Sequence, residues 1–289
     1  MIKKIFKFGF SLFIIFTLII LYSRYIATTG LVTKEITINN QNIQTDFDGL
    51  KIVHFSDLHY KRIITKERIN KIIDEINLIN PDIVVFTGDL IDHDSNITDE
   101  DIKYLKEILN KINSKYGKYA VLGNHDYSID IKKIRDIYEN SSFKLLENTY
   151  DIIYSKNNQK IYVGGISTGE YNDSLLKNLI PKEEMYKILL LHEPDFIDDV
   201  TLLNSDIALS GHSHNGQINI PYLKKLFLPT GAKKYYNEYY KINNTEFYIS
   251  NGIGVSRYNF RLFNTPAINF YRINIDYKND ISRSFILST

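Results

Sequence analysis

Five short apolar runs in this chain end on residues that hold metals or move protons, and no other feature constrains its fold as tightly. "KIVHF" (51–55) leads into Ser56-Asp57-Leu58-His59, and "DIVVF" (82–86) into Thr87-Gly88-Asp89. "KYAVL" (118–122) leads into Gly123-Asn124-His125-Asp126, "KILLL" (187–191) into His192, and "DIALS" (206–210) into Gly211-His212-Ser213-His214. Runs of this length and β-branched content read as buried strands. Helical patterns separate the first of them. Ile69, Ile72, Ile73, Ile76 and Ile79 share one face of a helix that stops before Pro81. A second helix opens with a Thr98-to-Asp101 capping box and carries Ile102, Leu105, Ile108, Leu109 and Ile112. A third, near 129–139, carries Ile131, Ile134 and Ile137. Alternation of this kind predicts an α/β layered fold with largely parallel central strands. In such sheets ligands bind beyond the carboxyl ends of the strands, so the five loops should converge. Chance readily places one or two such residues at strand ends, but not five of the chain's seven histidines. The segments 144–165 and 217–275 read instead as meandering β-structure, with turns at Asn157-Asn158 and Asn243-Asn244.

Composition narrows the chemistry. With 44% hydrophobic and 24% charged residues in 289, the chain is globular and long enough for a sizeable core. A net charge of +1 gives no bulk attraction to a nucleic-acid polymer, and none is expected as a partner. There are no cysteines, so disulfides, thiolate sites and a cysteine nucleophile are excluded and any metal must be held by nitrogen and oxygen.

The N-terminus is of another kind. Lys3, Lys4 and Lys7 precede a run without charge from Phe8 to Ser23, close to the roughly 20 apolar residues that a spanning helix needs. A cleaved signal peptide is the competing reading, but "ATTG" (27–30) is no clear cleavage site. The expectation is a membrane anchor in residues 1–29, in the bilayer through 5–26, and one catalytic domain over 30–289. The lysines would stay in the cytoplasm, making the protein a single-pass protein of the cell membrane with its body on the extracytoplasmic side.

The candidate ligands are Asp57, His59, Asp89, Asn124, His192, His212 and His214. Seven exceed what one tetrahedral ion takes and suit two divalent ions that share a carboxylate. Two such ions about 3.5–4 Å apart can bind a hydroxide and stabilise both attacking and leaving oxygens of a phosphoryl group. The ring of His125 should point away from the side chain of its neighbour Asn124, which makes it a poor ligand and a candidate general acid, with Asp126 placed to orient it.

The series "DLH", "GDLID", "GNHD", a His after a strand, and "GHSH" resembles the calcineurin-like metallophosphoesterase superfamily over essentially residues 50 to 270. The resemblance implies a four-layer αββα sandwich. It implies that Asp57, His59 and His214 bind one metal, that Asn124, His192 and His212 bind the other, and that Asp89 bridges them. Mn, Fe and Zn all fit these ligands. His125 would contact substrate and assist the leaving group. "FDGLKIVHFSDLH", "GHSHNGQINIPYL" and "YISNGIGVSRYNFRLFNTP" are similar to the membrane-anchored bacterial branch, which includes enzymes resembling UDP-2,3-diacylglucosamine pyrophosphatase. Two departures, Ser167-Thr168 where that branch often has acidic residues and Ala267 after Pro266 where it has Glu, bear on substrate choice and not on catalysis.

The expected function is a two-metal hydrolase cleaving a phosphodiester or pyrophosphate with metal-bound hydroxide, on a membrane or envelope lipid-linked substrate and without an obligate protein partner. A phosphomonoesterase or protein phosphatase would use the same metals, and an inactive tethered binding module is the rival of another class. His54 reads as a packed strand residue and His93 as a polar loop residue, with substrate contact its lesser alternative. Asp92 either orients a ligand or only makes a turn. The stretch 221–240, with Lys224, Lys225, Lys233 and Lys234 among aromatics, reads as a lip for lipid headgroups or as ordinary solvated structure. Arg261 is a candidate phosphate-binding residue, or the partner of a carboxylate.

Overall fold

The computed structural model describes residues 2–93, 95–167, 179, 181 and 183–277, and in it the apolar runs assemble into two six-stranded sheets. The first holds β1 (Val32–Asn40), β2 (Leu50–Phe55), β3 (Ile83–Phe86), β4 (Gly117–Ala120), β5 (Phe143–Leu145) and β12 (Ala267–Ile275), in the order β1-β12-β2-β3-β4-β5. The second holds β6 (Thr149–Tyr154), β7 (Lys160–Ile166), β8 (Tyr186–Leu191), β9 (Ile207–Ser210), β10 (Tyr239–Ile242) and β11 (Thr245–Ile249), in the order β10-β11-β9-β8-β7-β6. β2 to β5 are parallel, as are β7, β8, β9 and β11. All five strands that end in metal-capable residues therefore finish at the same end of their sheets.

Alternation along the strands decides the layers. Ile52 and Val85 face Val163, Ile188, Leu190 and Leu209 across the space between the sheets. Val53, Phe55, Val84 and Phe86 face outward onto the helices. Those helices are α2 (Lys66–Ile79), α3 (Asp99–Asn110) and α4 (Ile131–Glu139). Thr65 caps α2, and its end is Asn80 in the left-handed region just before Pro81. The Thr98–Asp101 capping box of α3 is present in both directions. Their apolar stripes are buried apart from the partly buried Ile79 and Ile131, and each fully buried large side chain contributes about 1.5–3 kcal/mol. Leu189, Leu191, Ala208 and Phe247 cover the other face of the second sheet with Ile197 and Val200, which lie on short 3-10 turns at 194–198 and beside 201–203.

One expectation needs correction. The turns at Asn157-Asn158 and Asn243-Asn244 do close the β6–β7 and β10–β11 hairpins. However, 217–238 carries no named strand and 250–266 is loop, because these residues wrap the site through Gln217, Arg261 and Asn264 instead of pairing in a ladder. The strand that follows, β12, leaves the second sheet's neighbourhood and inserts between β1 and β2 in the first. Thr168 lies outside the described residues, and Ser167 is buried at the end of β7.

At the N-terminus, α1 (Ile2–Leu21) widens into a π-type turn at 22–26. The helix from Ile2 to Ile26 is long and apolar enough to cross a membrane, and none of its most apolar stretch is buried against the body.

Candidate metal centre

Three of the five strand-end loops turn through the functional residue itself. Asp57, His59, Asp89, His212 and His214 all have left-handed backbones, with φ of 53°, 44°, 58°, 62° and 50°. Such a conformation costs a residue with a side chain on the order of 1–3 kcal/mol, and clusters of it mark functional sites. The glycines beside them make room. A Cβ on Gly123 would lie 2.2 Å from Asp89 Oδ1, and one on Gly211 would lie 2.1 Å from Ser56 Oγ and 2.6 Å from Asp57 Oδ2.

The loops bring all seven candidate ligands together around Asp89. On one side, His59 Nε2 lies 3.6 Å from Asp89 Oδ2, 4.0 Å from Asp57 Oδ1 and 3.2 Å from His214 Nε2, which is itself 3.5 Å from Asp57 Oδ1. On the other, His192 Nε2 lies 3.3 Å from the same Asp89 oxygen, 3.2 Å from Asn124 Oδ1 and 3.2 Å from His212 Nδ1. The groups Asp57–His59–His214 and Asp89–His192–His212 could each hold a metal ion. The donor chemistry fits: imidazole nitrogens confront one another and a carboxylate at contact distance, an arrangement that a cation between them relieves.

Partners on the outer ring nitrogens set the tautomers. His192 Nδ1 donates to the Thr87 carbonyl at 2.6 Å, leaving Nε2 free to ligate. His212 Nε2 donates to the Thr230 carbonyl at 2.6 Å, leaving Nδ1. His59 turns Nδ1 toward Asp92 Oδ1 at 3.4 Å. Outer partners of this kind orient metal ligands and raise their basicity. Burial, then the Arg261 cation, pushes His214 well below its usual pKa and keeps it neutral, as a ligand must be. Burial opposes ionisation of Asp89, but the surrounding imidazoles, His192 foremost, hold its carboxyl well below the usual range. Burial raises Asp57.

His125 stands at the edge of this cluster. Its Nε2 is 3.9 Å from Asp89 Oδ2 and its Nδ1 is 3.5 Å from Asp92 Oδ1 and 3.1 Å from His93 Nδ1. Burial would lower its pKa, but Asp92 and Asp89 outweigh that and raise it. The carboxylate beside His125 is thus Asp92 and not Asp126, which corrects the sequence expectation. Asp126 is fully buried, and its carboxylate accepts from the backbone N–H groups of Asp89, Leu90 and Gly123. Three N–H donors engage both of its oxygens, and it clamps the loops after β3 and β4 together from behind.

Arg261 is the second correction. It is wholly buried and donates to the carbonyls of Asn251, Gly252 and Gly254, with its guanidinium 3.2 Å from His214 Nδ1. It backs a ligand and does not line the cavity. His54 is a buried strand residue at 2.8 Å from Thr87 Oγ1, and His93 reaches the cavity wall. Arg62 was not foreseen: it donates to Asp92 Oδ2 at 3.0 Å, to Asn259 Oδ1 at 2.8 Å and to the Arg257 carbonyl at 2.7 Å. It lies three residues beyond His59 among ordinary surface-type residues, so only tertiary contact reveals it.

A cavity of about 360 Å³ opens above the cluster. Asp89, Asn124, His125, His212 and His214 contribute to it, together with Gln217, Phe227 and Tyr258 from the long loops. Buried, preorganised nitrogen and oxygen donors under an open cavity, with a hydrogen-bonded imidazole at the edge, define a site for metal-assisted hydrolysis.

The chain belongs to the calcineurin-like phosphoesterase family, whose model matches residues 50–216. It is similar to the metallophosphoesterase YkuE of Bacillus subtilis (strain 168), at 30% identity over 87% of this chain and 88% of that protein. It is also similar to the UDP-2,3-diacylglucosamine pyrophosphatase LpxG of Chlamydia muridarum, at 28% identity over 61% of this chain and 67% of the other. Phosphodiesterase YaeI of Escherichia coli (strain K12) is 26% identical over 75% of this chain and 80% of its own length.

Proposed function

We propose that the chain is a membrane-anchored, two-metal hydrolase that cleaves a phosphodiester or pyrophosphate bond in a lipid-linked substrate. The observation that carries this reading is the placement of nitrogen and oxygen donors on both sides of one Asp89 oxygen, under a cavity of about 360 Å³. Asp57, His59 and His214 would hold one divalent ion, Asn124, His192 and His212 the other, with Asp89 shared. Manganese, iron and zinc all suit this donor set. When bound, such ions supply positive charge for the phosphoryl oxygens and lower the pKa of water.

The chain's own residues do the rest. His125, protonated at Nε2 and held at Nδ1 by Asp92, delivers a proton to the departing oxygen. Asn124 contributes a neutral oxygen where a third carboxylate would repel an anionic substrate. The apolar walls at Phe227 and Tyr258 suit the non-phosphate part of that substrate. A lipid-linked substrate is supported by the helix Ile2–Ile26 and by the similarity to LpxG, whose name gives UDP-2,3-diacylglucosamine as its substrate. Residues 1–29 serve as anchor and 30–289 as the catalytic domain, held by the positive N-terminal flank on the extracytoplasmic side.

The test is metal analysis of the full chain in detergent alongside paired assays on an aryl phosphodiester and an aryl phosphomonoester. Two metals per chain and preferential diester turnover are expected. Asp89→Ala should lose both metal and turnover, and an Asp89→Ala protein with full activity would end the proposal. Faster monoester turnover would move the assignment to a phosphomonoesterase on the same metals.

A further inference from the structure

The last turn of the N-terminal helix is hydrogen-bonded to a loop that also lines the catalytic cavity. The Arg261 N–H donates to the Ser23 carbonyl at 2.9 Å, and the Arg24 guanidinium donates to the Asn259 carbonyl at 2.7 Å. These partners belong to the loop that supplies Ser256, Arg257 and Tyr258 to the cavity. The topology explains the proximity. β1 begins beside the start of β12, and β12 runs antiparallel to β2, so the helix exits at the end of the sheets where Asp57 lies.

Around that exit the surface is apolar to an unusual degree. Leu226 is 73% exposed and Phe263 70%, while Tyr222 is fully exposed; Leu223 and Phe260 are also exposed. They come from two loops that form one rim. Asn219 N–H donates to the Leu262 carbonyl, Leu262 N–H to the Gln217 carbonyl, and the Phe227 and Tyr258 rings meet edge to face. Tyr222 and Phe263 also have φ of 66° and 54°, a left-handed backbone that is unfavourable for bulky residues. Strain that turns aromatic rings outward into water stabilises nothing in the isolated fold. Outliers of that kind point to a surface shaped for a partner.

We propose that this rim, formed by Tyr222, Leu223, Leu226, Phe260 and Phe263, inserts into the interfacial layer of the bilayer that holds the N-terminal helix. The proposal rests on the reading of that helix as a membrane anchor. The occupant is a lipid surface because the rim is continuous with a bilayer-length apolar helix through the Ser23 and Arg24 hydrogen bonds. Lys225 and Arg257 are exposed beside the rings, as suits lipid phosphates. Aromatic rings flanked by cations are the residues that settle at headgroup depth. The cavity mouth then opens at the level of lipid headgroups, so a phosphoester can reach Asp89 while its acyl chains stay in the membrane.

The chain contains no tryptophan, so a single introduced one reports its own depth. Leu226→Trp and Phe263→Trp would be placed singly in the full chain and reconstituted in phosphatidylcholine–phosphatidylglycerol vesicles with or without brominated acyl chains. Phe13→Trp in the helix and Tyr154→Trp at the opposite end of the second sheet serve as references. Both rim tryptophans should lose most of their emission to the bromines, as Phe13→Trp does, while Tyr154→Trp keeps its own. Rim tryptophans as bright as Tyr154→Trp beside a quenched Phe13→Trp would overturn the rim proposal and leave the anchor standing. A bright Phe13→Trp would remove the anchor reading and the proposal with it.

Discussion

Asp92 places its Oδ1 3.5 Å from Nδ1 of His125, the imidazole proposed to protonate the leaving group. The same oxygen is 3.4 Å from His59 Nδ1, so one carboxylate serves the acid and a ligand together. Asp92→Asn should therefore lower kcat or metal affinity by about 10–100-fold, the usual cost of losing a partner behind a ligand. Metal titration with parallel turnover measurements separates the two contributions, and a variant unchanged in both would refute the assignment.

Asp126 should behave differently. Asp126→Ala strips acceptors from three buried N–H groups, at about 1–3 kcal/mol for each one left unsatisfied. The expected result is a lower midpoint in denaturant unfolding, with activity lost only as the fold is lost. A stable Asp126→Ala protein with a specific kcat defect would restore the catalytic role expected from sequence.

Gly123→Ala probes how closely the backbone frames the metal centre. Its methyl group would sit 2.2 Å from Asp89 Oδ1 and 2.7 Å from His192 Cε1. Because Asp89 is the proposed bridge and His192 a proposed ligand, metal stoichiometry should drop in mass spectrometry or elemental analysis. Circular dichroism should show the sheets intact.

Lys118 gives a pH-dependent stability prediction away from the site. It is buried in β4, with Nζ donating to the Leu109 carbonyl at 3.1 Å, and burial brings its pKa from 10.5 down to about 8. A base whose folded pKa lies below its unfolded one destabilises the fold fully below about pH 8, and the penalty fades as pH rises toward 10.5. Lys118→Met should raise stability at pH 7 by about 1–2 kcal/mol, a figure discounted from the full shift for the lost hydrogen bond. Unfolding curves at pH 7 and pH 10.5 should show that gain shrinking.

The parts legible in the sequence are those written in local pattern. Strand runs, helix faces and the Thr98–Asp101 cap depend on near neighbours, and four of the five apolar runs end where their polar successors suggest, while β4 stops at Ala120, two residues early. The roles of Asp126 and Arg261 were not legible in this way. A carboxylate two residues after Asn124 reads the same whether it meets a ring or three N–H groups, and the outcome depends on how the loops after β3 and β4 are folded against each other. Arg261 reads from sequence as a phosphate ligand or as the partner of a carboxylate, yet the glycines at 252 and 254 expose carbonyls that absorb its donors. The left-handed backbones of the ligand residues left no trace either, since Asp and His were taken for their side chains alone. Asp92 is the intermediate case: its position in "GDLID" suggested a supporting role but not that it serves two histidines.

The placement of β12 between β1 and β2 has a consequence for how the protein is made. Among the described residues β1 pairs with β12 alone, and Val32 meets Ala267 across most of the chain. As the polypeptide emerges, its nine-residue first strand follows directly on the apolar helix, while its described ladder partner, β12, is synthesised more than 200 residues later. Loop closure over that distance is slow, and an unpaired strand is open to mispairing in the meantime. Tethering by the helix would keep that strand at the membrane surface and away from the same strand of other nascent chains until the final segment arrives.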